Sequence, residues 1–237
     1  MLSFACISPH PPLLLPAVGS KEDHQKVRKT IKNLEFLGEK LKKIKPDSII
    51  ISSPHSDWGF NVPLHFLAND FKGEIKPYLM DIEPPKYYFE QGKKMFSVLE
   101  QDKKHALIAS GDLSHCLKDE GPYGFHPDGP KFDQELIDSL KKKDIQNFLT
   151  LDEKYPDAGE CGLRSFCFVL GILEASGIGW QPEILSYEGP FGVGYLVAEF
   201  KLNLSLRARA FKPERSPPAS PEAKRWRAGN LIKLYDY

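Results

Sequence analysis

The chain has 237 residues, a formal net charge of zero from 32 basic and 32 acidic side chains, and a hydrophobic content of 41%. This length is sufficient for one large α/β core. The balanced charge argues against nucleic acid or an anionic membrane as a main partner. No apolar run approaches the ~18 residues of a membrane-spanning helix, and the four cysteines contain no C-x-x-C pair, which argues against a zinc ribbon or thioredoxin-like site.

The start of the chain lacks the basic segment and the small-residue cleavage site of a signal peptide. We therefore expect a cytoplasmic protein whose cysteines are reduced thiols. Cys6 and Cys167 lie in apolar stretches, which is typical of core packing.

Along the chain, continuous runs of apolar and β-branched residues, typical of strands, alternate with segments whose apolar residues recur at helical spacing. In chain order, the pattern predicts strand 2–8, helix 27–44, strand 47–53, helix 86–100, strand 105–110, helix 132–149, buried helix 161–175 and strand 195–202. Strands that alternate with helices indicate an α/β fold, a mostly parallel central sheet flanked by helices in a single domain over residues 1–204. Residues 205–237 are rich in Pro, Arg and Ser, which predicts a C-terminal extension or linker.

Three histidines follow predicted strands. His10 lies in Ser-Pro-His after strand 2–8, His55 lies in a second Ser-Pro-His after strand 47–53, and His115 follows strand 105–110. Parallel strands end at one edge of a sheet, where ligands bind, so these histidines should converge. A single histidine at a strand end is more often a surface residue, but proline stiffens the backbone next to two of these. The repeated pattern favours a site.

A metal held by two histidines usually has a third protein ligand. Glu160 and Cys161 both lie at the start of the predicted buried helix 161–175. Two histidines and one carboxylate form the non-haem Fe(II) arrangement, which favours Glu160, although a carboxylate at a helix N-terminus also stabilises the helix itself. Cys161 is the alternative ligand, and a thiolate there would favour Zn or Cu(I).

Two further side chains are candidates for substrate binding. His126 lies in a Gly/Pro-rich loop, and Asp57 follows His55 closely in the chain. Asp57 or Asp112 also suits the role of orienting a histidine through its second ring nitrogen. Arg164 and Lys118 are the cations available to a carboxylate-bearing substrate, and either also fits a solvated surface position.

Four segments together resemble the motifs of class III extradiol ring-cleavage dioxygenases and of their MEMO-like relatives, which occur beside AMMECR1-like and radical SAM proteins. The segments are Ser8-Pro-His-Pro-Pro-Leu-Leu, Ser53-Pro-His-Ser-Asp-Trp, Ser110-Gly-Asp-Leu-Ser-His and Ala158-Gly-Glu-Cys-Gly-Leu-Arg-Ser. The resemblance extends from residue 1 to about residue 202. It implies an α/β fold built on a mostly parallel sheet.

The resemblance also implies roles. His10 and His55 correspond to the iron-binding histidines, His115 to the histidine that acts as acid and base on the catechol, and Glu160 to the region of the carboxylate ligand. MEMO-like proteins instead present a cysteine in a Cys-Gly-x-Arg pattern, which corresponds here to Cys161.

The expected function is that of an Fe(II)-dependent dioxygenase that cleaves a small aromatic diol with O₂. One alternative is a MEMO-like metal- or partner-binding protein with an AMMECR1-like or radical SAM partner, holding Zn or Cu in place of iron. The other is a Zn-dependent hydrolase, because a His/His/Glu site also activates water on zinc. We expect a homo-oligomer with no nucleic-acid or membrane partner.

Overall fold

The strands form because their residues are apolar or β-branched and almost continuously buried. A computed structural model describes residues 1–203. Its strands are β1 (Leu2–Ser8), β2 (Ser48–Ser53), β3 (Glu74–Leu79), β4 (His105–Ser110), β5 (Gly179–Glu188) and β6 (Tyr195–Asn203). The helices of this region are α1 (Lys21–Lys26), α2 (Arg28–Ile44), α3 (Trp58–Leu67), α4 (Pro85–Val98), α5 (Asp128–Lys142), α6 (Ile145–Phe148), α7 (Leu151–Lys154) and α8 (Leu163–Ala175), with a 3-10 turn at Pro12–Leu14.

The six strands form one sheet in the order β3-β2-β4-β1-β6-β5. The first four are parallel to one another, whereas β6 runs antiparallel to β1, and β5 runs antiparallel to β6. The predicted α/β class, with a mostly parallel sheet flanked by helices in a single domain, is confirmed.

The sequence analysis missed β3 and β5, which are the two edges of the sheet. Both strands carry a proline and several polar residues, and β3 has no fully buried position. Edge strands need not bury both faces, so their sequences lack the continuous apolar run that identifies a central strand.

The helices form a layer on each face of the sheet. On one face, α4, α5 and α8 pack over a core that includes Leu107 and Phe168. On the other face, α2 and α3 cover a second core that includes Ile49, Ile51 and Ile108. The buried side chains of the central strands therefore point alternately into two cores, and the ends of these strands are held rigidly.

The predicted helix 132–149 is divided in the structure. Lys143 adopts the left-handed conformation (φ 58°) after α5, and the Asp144 side chain then accepts a hydrogen bond from the Asn147 N–H to start α6. The apolar spacing continues across this break because both helices face the same core, which is why periodicity alone predicted one helix.

Among residues 1–203, no helix is both long and apolar enough to cross a membrane. The extension or linker expected at residues 205–237 lies outside the described residues.

Candidate metal centre

The three histidines that follow strands meet at one edge of the sheet. His10 follows β1, His55 follows β2 and His115 follows β4, and β4 lies between the other two strands. The His10 and His55 rings are 5.1 Å apart between centroids, with an angle of 72° between their planes. The predicted convergence of these side chains therefore follows from the parallel pairing of neighbouring strands.

His10 is buried, with 2% of its surface exposed, and its ring has a defined orientation. Its Nδ1 lies 3.0 Å from the Ser110 Oγ, and the Ser110 hydroxyl donates its proton to the carbonyl of Gly59. Because a hydroxyl has one proton, Ser110 accepts a hydrogen bond from Nδ1–H of His10. The lone pair of the neutral ring is then on Nε2.

The Nε2 atom of His10 faces two possible partners. It lies 3.5 Å from the Sγ of Cys161 and 3.8 Å from a carboxylate oxygen of Asp112. Burial, followed by the charge of His55, lowers the pKa of His10 to about 3, so the ring is neutral at physiological pH. A neutral imidazole with a free Nε2 lone pair is the form that binds a metal ion.

Cys161 is the third side chain of this group. The ligand atoms of His10, His55 and Cys161 all lie within 4.8 Å of one another. The backbone N–H of Asp112 also points at the Cys161 Sγ, at 3.4 Å. Burial raises the pKa of the Cys161 thiol well above its usual value, so the thiolate would need a nearby cation.

Glu160 does not join the group. Its carboxylate accepts a hydrogen bond from the backbone N–H of Leu163 at 2.7 Å and lies 3.2 Å from the Arg164 guanidinium. Burial raises the pKa of Glu160 to about 7, although these two contacts oppose the shift. Glu160 thus stabilises the N-terminus of α8, which was its alternative role in the sequence analysis. Cys161 takes the place expected for Glu160 beside the two histidines.

His115 lies beside the same sulfur atom. Ligand atoms of Asp112, His115 and Cys161 form a second group within 4.8 Å. The Nε2 of His115 is buried and has no hydrogen-bond partner among residues 1–203, and burial lowers the pKa of the ring. A buried ring nitrogen without a partner is costly unless a ligand completes the site.

Asp112 links the site histidines to the loop after β4. One carboxylate oxygen of Asp112 accepts a hydrogen bond from the His10 backbone N–H at 3.0 Å. Burial raises the pKa of Asp112 to about 6, against the opposing effects of this hydrogen bond and of His115 and His55. The Asp112 side chain therefore fixes the backbone of His10, whereas Ser110 orients its ring.

The two expected substrate contacts lie in different places. Asp57 is exposed at the start of α3, where its side chain accepts a hydrogen bond from the Trp58 N–H at 2.7 Å, and its charge acts on His10. His126 is separate from the His10 group. Its ring nitrogens lie 3.8 Å from Asp128 and 4.0 Å from Asp157.

The sequence analysis missed Ser110. Ser110 is the last residue of β4 and is paired with Ser8, which begins the first Ser-Pro-His segment. A buried serine at the end of a strand next to such a segment is a candidate to orient the histidine ring by a hydrogen bond.

Residues 56–198 match the family model of the catalytic LigB subunit of aromatic ring-opening dioxygenase. This segment is more than half of the 237-residue chain. The chain belongs to the LigB family. The family is described by the catalytic subunit of an aromatic ring-opening dioxygenase. His10 precedes the matched segment and is brought to the same edge of the sheet as His115 by the pairing of β1 with β4.

A relative and a solved structure extend this comparison. The LigB-family chain is 29% identical to Protein CA_C1420 of Clostridium acetobutylicum, in an alignment that covers 95% of this chain and 63% of that protein. The chain thus spans less than two thirds of the length of this relative. The crystal structure of the uncharacterized protein JW3007 from Escherichia coli K12 superimposes with a TM-score of 0.55 at 15% identity, over 84% of this chain and 99% of that one. This second likeness concerns the fold alone.

LigB-type dioxygenases are typically metal-dependent, and the residues of this site suit a transition metal. Two imidazoles and one sulfur atom lie within 4.8 Å of one another. The buried His115 Nε2 beside them lacks a hydrogen-bond partner within the described residues. The donor set differs from the usual two histidines and one carboxylate, because a sulfur atom stands in the third position. A thiolate shifts metal preference toward softer ions than a carboxylate does.

Proposed function

We propose that this LigB-family protein is a ring-cleaving dioxygenase that acts on a catechol-type diol with O₂. In this proposal His10, His55 and Cys161 hold Fe(II), and His115 transfers the proton. The observation that carries the proposal is the unpartnered, buried Nε2 of His115 beside the group formed by His10, His55 and Cys161.

A bound Fe(II) would supply Lewis acidity toward the diol oxygens and one-electron chemistry toward O₂. The protein supplies orientation and proton transfer. Ser110 and Asp112 fix the ring and backbone of His10, and the central strands beneath them are buried on both faces. This rigidity keeps the reacting groups in place, since small displacements reduce rates strongly.

His115 suits the role of general base and acid. Its Nε2 is free to accept a proton from a diol hydroxyl, because no group in the described part of the chain forms a hydrogen bond with that atom. The same proton is returned when the ring opens, and both atoms of O₂ are incorporated into the hydroxymuconic semialdehyde product. The reaction therefore needs no external reductant.

The test is anaerobic purification, metal analysis and an assay of catechol cleavage by the yellow absorbance of the product. We expect about one iron per active chain and O₂-dependent formation of the yellow product. His10→Ala and His55→Ala should each lower the iron content sharply. Unchanged iron in both variants, or zinc with ester or amide hydrolysis, would contradict the proposal.

Cys161 supports a second candidate function. Its Sγ lies 3.5 Å from the His10 Nε2, and the sequence resemblance matches this residue to the cysteine of MEMO-like proteins. Such a protein would bind a metal or a protein partner, of AMMECR1-like or radical SAM type, without cleaving a diol. A stoichiometric metal ion without catechol turnover in the purified protein would favour this candidate over the first.

A further inference from the structure

Two exposed aromatic side chains lie against the histidines of the site. The Trp58 ring is 5.1 Å from the His55 ring, tilted by 38°. The Tyr123 ring is 5.4 Å from the His115 ring, tilted by 43°. Trp58 is 42% exposed and Tyr123 is 68% exposed, so each ring keeps a large apolar surface in contact with solvent.

The backbone around Trp58 is fixed. Trp58 is the first residue of α3, and its N–H is held by the Asp57 carboxylate. The next residue, Gly59, packs so closely that an added Cβ would overlap the Ser53 side chain and lie 3.0 Å from the His55 Cβ. The start of α3 therefore packs closely against the end of β2 and against His55.

Tyr123 lies on a loop that is closed at its base. The backbone of Leu117 pairs with that of Phe125, and the His126 N–H bonds to the Cys116 carbonyl at 3.1 Å. The Leu117 N–H is held by the Gly192 carbonyl, and Gly124 has a positive φ of 74° that a side chain would strain. These backbone contacts hold the loop in a defined conformation, with Tyr123 beside His115.

Arg164 and Lys118 are the cations that the sequence offered to a carboxylate-bearing substrate. Both have other partners. Arg164 contacts Glu160, Asp152 and the Glu83 carbonyl. The Lys118 ammonium donates to the Pro190 carbonyl. Asp57 adds a negative charge close enough to act on His10. These charges favour an uncharged ligand over an anionic one.

We infer that Trp58 and Tyr123 are the walls of a subsite for an uncharged, planar aromatic diol. This inference rests on the proposed function and names its substrate class. One ring lies beside His55 and the other beside His115, and Cys161 is common to the two groups that contain these histidines. Aromatic side chains select planar rings through offset-stacked or edge-to-face contacts.

The test measures catechol binding under anaerobic conditions, where no turnover occurs. Catechol should quench tryptophan fluorescence in the holoprotein of a Trp226→Phe variant, in which Trp58 and Trp180 are the two tryptophans that remain. Adding Trp58→Phe should remove most of this quenching, since Trp180 is only 4% exposed. Trp58→Leu and Tyr123→Leu should each raise the Kd for catechol by about 3- to 10-fold. Trp58→Phe and Tyr123→Phe should restore most of the affinity, and metal content should stay at the wild-type level.

Phe36→Leu is the matched control, because Phe36 is a 54% exposed aromatic residue on α2, and it should leave the Kd unchanged. The carboxylated diol 3,4-dihydroxybenzoate should bind more weakly than catechol. Unchanged Kd values in both leucine variants, or tighter binding of the carboxylated diol, would overturn the inference. Quenching and the predicted Kd changes without ring cleavage would instead support the inference and refute the proposed dioxygenase activity.

Discussion

At the scale of single residues, burial and hydrogen bonding decide which side chains can serve as ligands. His10 is neutral because it is buried, and its Nδ1 proton is engaged by Ser110, so Nε2 is the free atom. Glu160 is also buried, but its two oxygens are already engaged by Leu163 and Arg164. A carboxylate held in this way stabilises a helix and is not available to a metal without breaking both contacts.

The first prediction compares the two neighbours at the start of α8. Cys161→Ser should lower the metal content of the purified protein sharply, because it removes the sulfur atom beside His10. Glu160→Gln should leave the metal content close to wild type, since an amide oxygen still accepts from the Leu163 N–H. Metal analysis of both variants checks this ranking, and the reverse ranking would restore Glu160 as the ligand.

The second prediction concerns Ser110. Ser110→Ala removes the acceptor for the His10 Nδ1 proton, and the ring then loses its fixed orientation. Loss of such a partner typically costs about 10- to 100-fold in metal affinity. Competition with a metal-binding dye measures the affinity. An unchanged value would show that Ser110 does not orient the ring.

The third prediction concerns His115. His115→Ala should retain the metal and reduce catechol cleavage by a factor of about 10²–10⁴, the usual contribution of general acid–base catalysis. Single-turnover absorbance, paired with metal analysis, makes the measurement. His65→Ala, at an exposed position on α3, is the control and should keep full activity. Loss of metal together with activity would identify His115 as a ligand.

At the scale of elements, α4 and α8 pack with their backbones in contact. A Cβ added at Gly92 would overlap the Phe168 carbonyl, and one added at Gly171 would overlap the Phe89 carbonyl. The overlapping atoms are backbone, so a rotamer change cannot relieve the clash. Because α8 begins at Leu163, two residues after Cys161, this close packing also restricts where the segment that carries the sulfur atom can lie.

The fourth prediction follows from that packing. Gly92→Ala should lower the free energy of unfolding by about 1–3 kcal/mol, the usual cost of overpacking a core, and this cost outweighs the higher helix propensity of alanine. Urea denaturation measures the change. Ser97→Ala, at an exposed position on the same helix, should be neutral or slightly stabilising. Equal stability of Gly92→Ala and wild type would mean that the two helices separate without cost.

At the scale of the whole molecule, a buried carboxyl links α5, the β4 loop and β5. Asp133 is 1% exposed. It accepts hydrogen bonds from the Ser114 N–H at 2.8 Å and from the Tyr187 hydroxyl at 2.5 Å. Burial nevertheless raises the pKa of Asp133 from 3.8 to about 7. The folded protein therefore binds this proton more tightly than the unfolded chain does.

The fifth prediction is the resulting pH dependence. A raised carboxyl pKa in the folded state stabilises the protein fully below pH ~4, and this contribution is lost as the pH rises toward ~7. Asp133→Asn should therefore reduce the decline in the free energy of unfolding between pH 4 and pH 7. Urea midpoints across this range measure it, with Asp138→Asn, on the same helix, as the control. Parallel profiles for wild type and Asp133→Asn would refute the assignment.

The sequence alone determined the central strands, the helices α2, α4 and α8, and the convergence of His10, His55 and His115. These features depend on local patterns: continuous apolar runs, helical spacing and residues placed directly after a strand. Parallel pairing then brings the strand ends together whatever the details of packing. The sequence did not predict the edge strands β3 and β5, because an edge strand does not require a continuous apolar run.

Only the tertiary structure decided between Glu160 and Cys161 as the side chain that faces the two histidines. The residues are adjacent in sequence, and either type can bind a metal, so the pattern left both open. The direction of each side chain depends on how the segment before α8 meets the β4 loop, where the Gly162 N–H bonds to the Asp112 carbonyl. That long-range contact turns Cys161 toward His10 and leaves Glu160 to cap the helix.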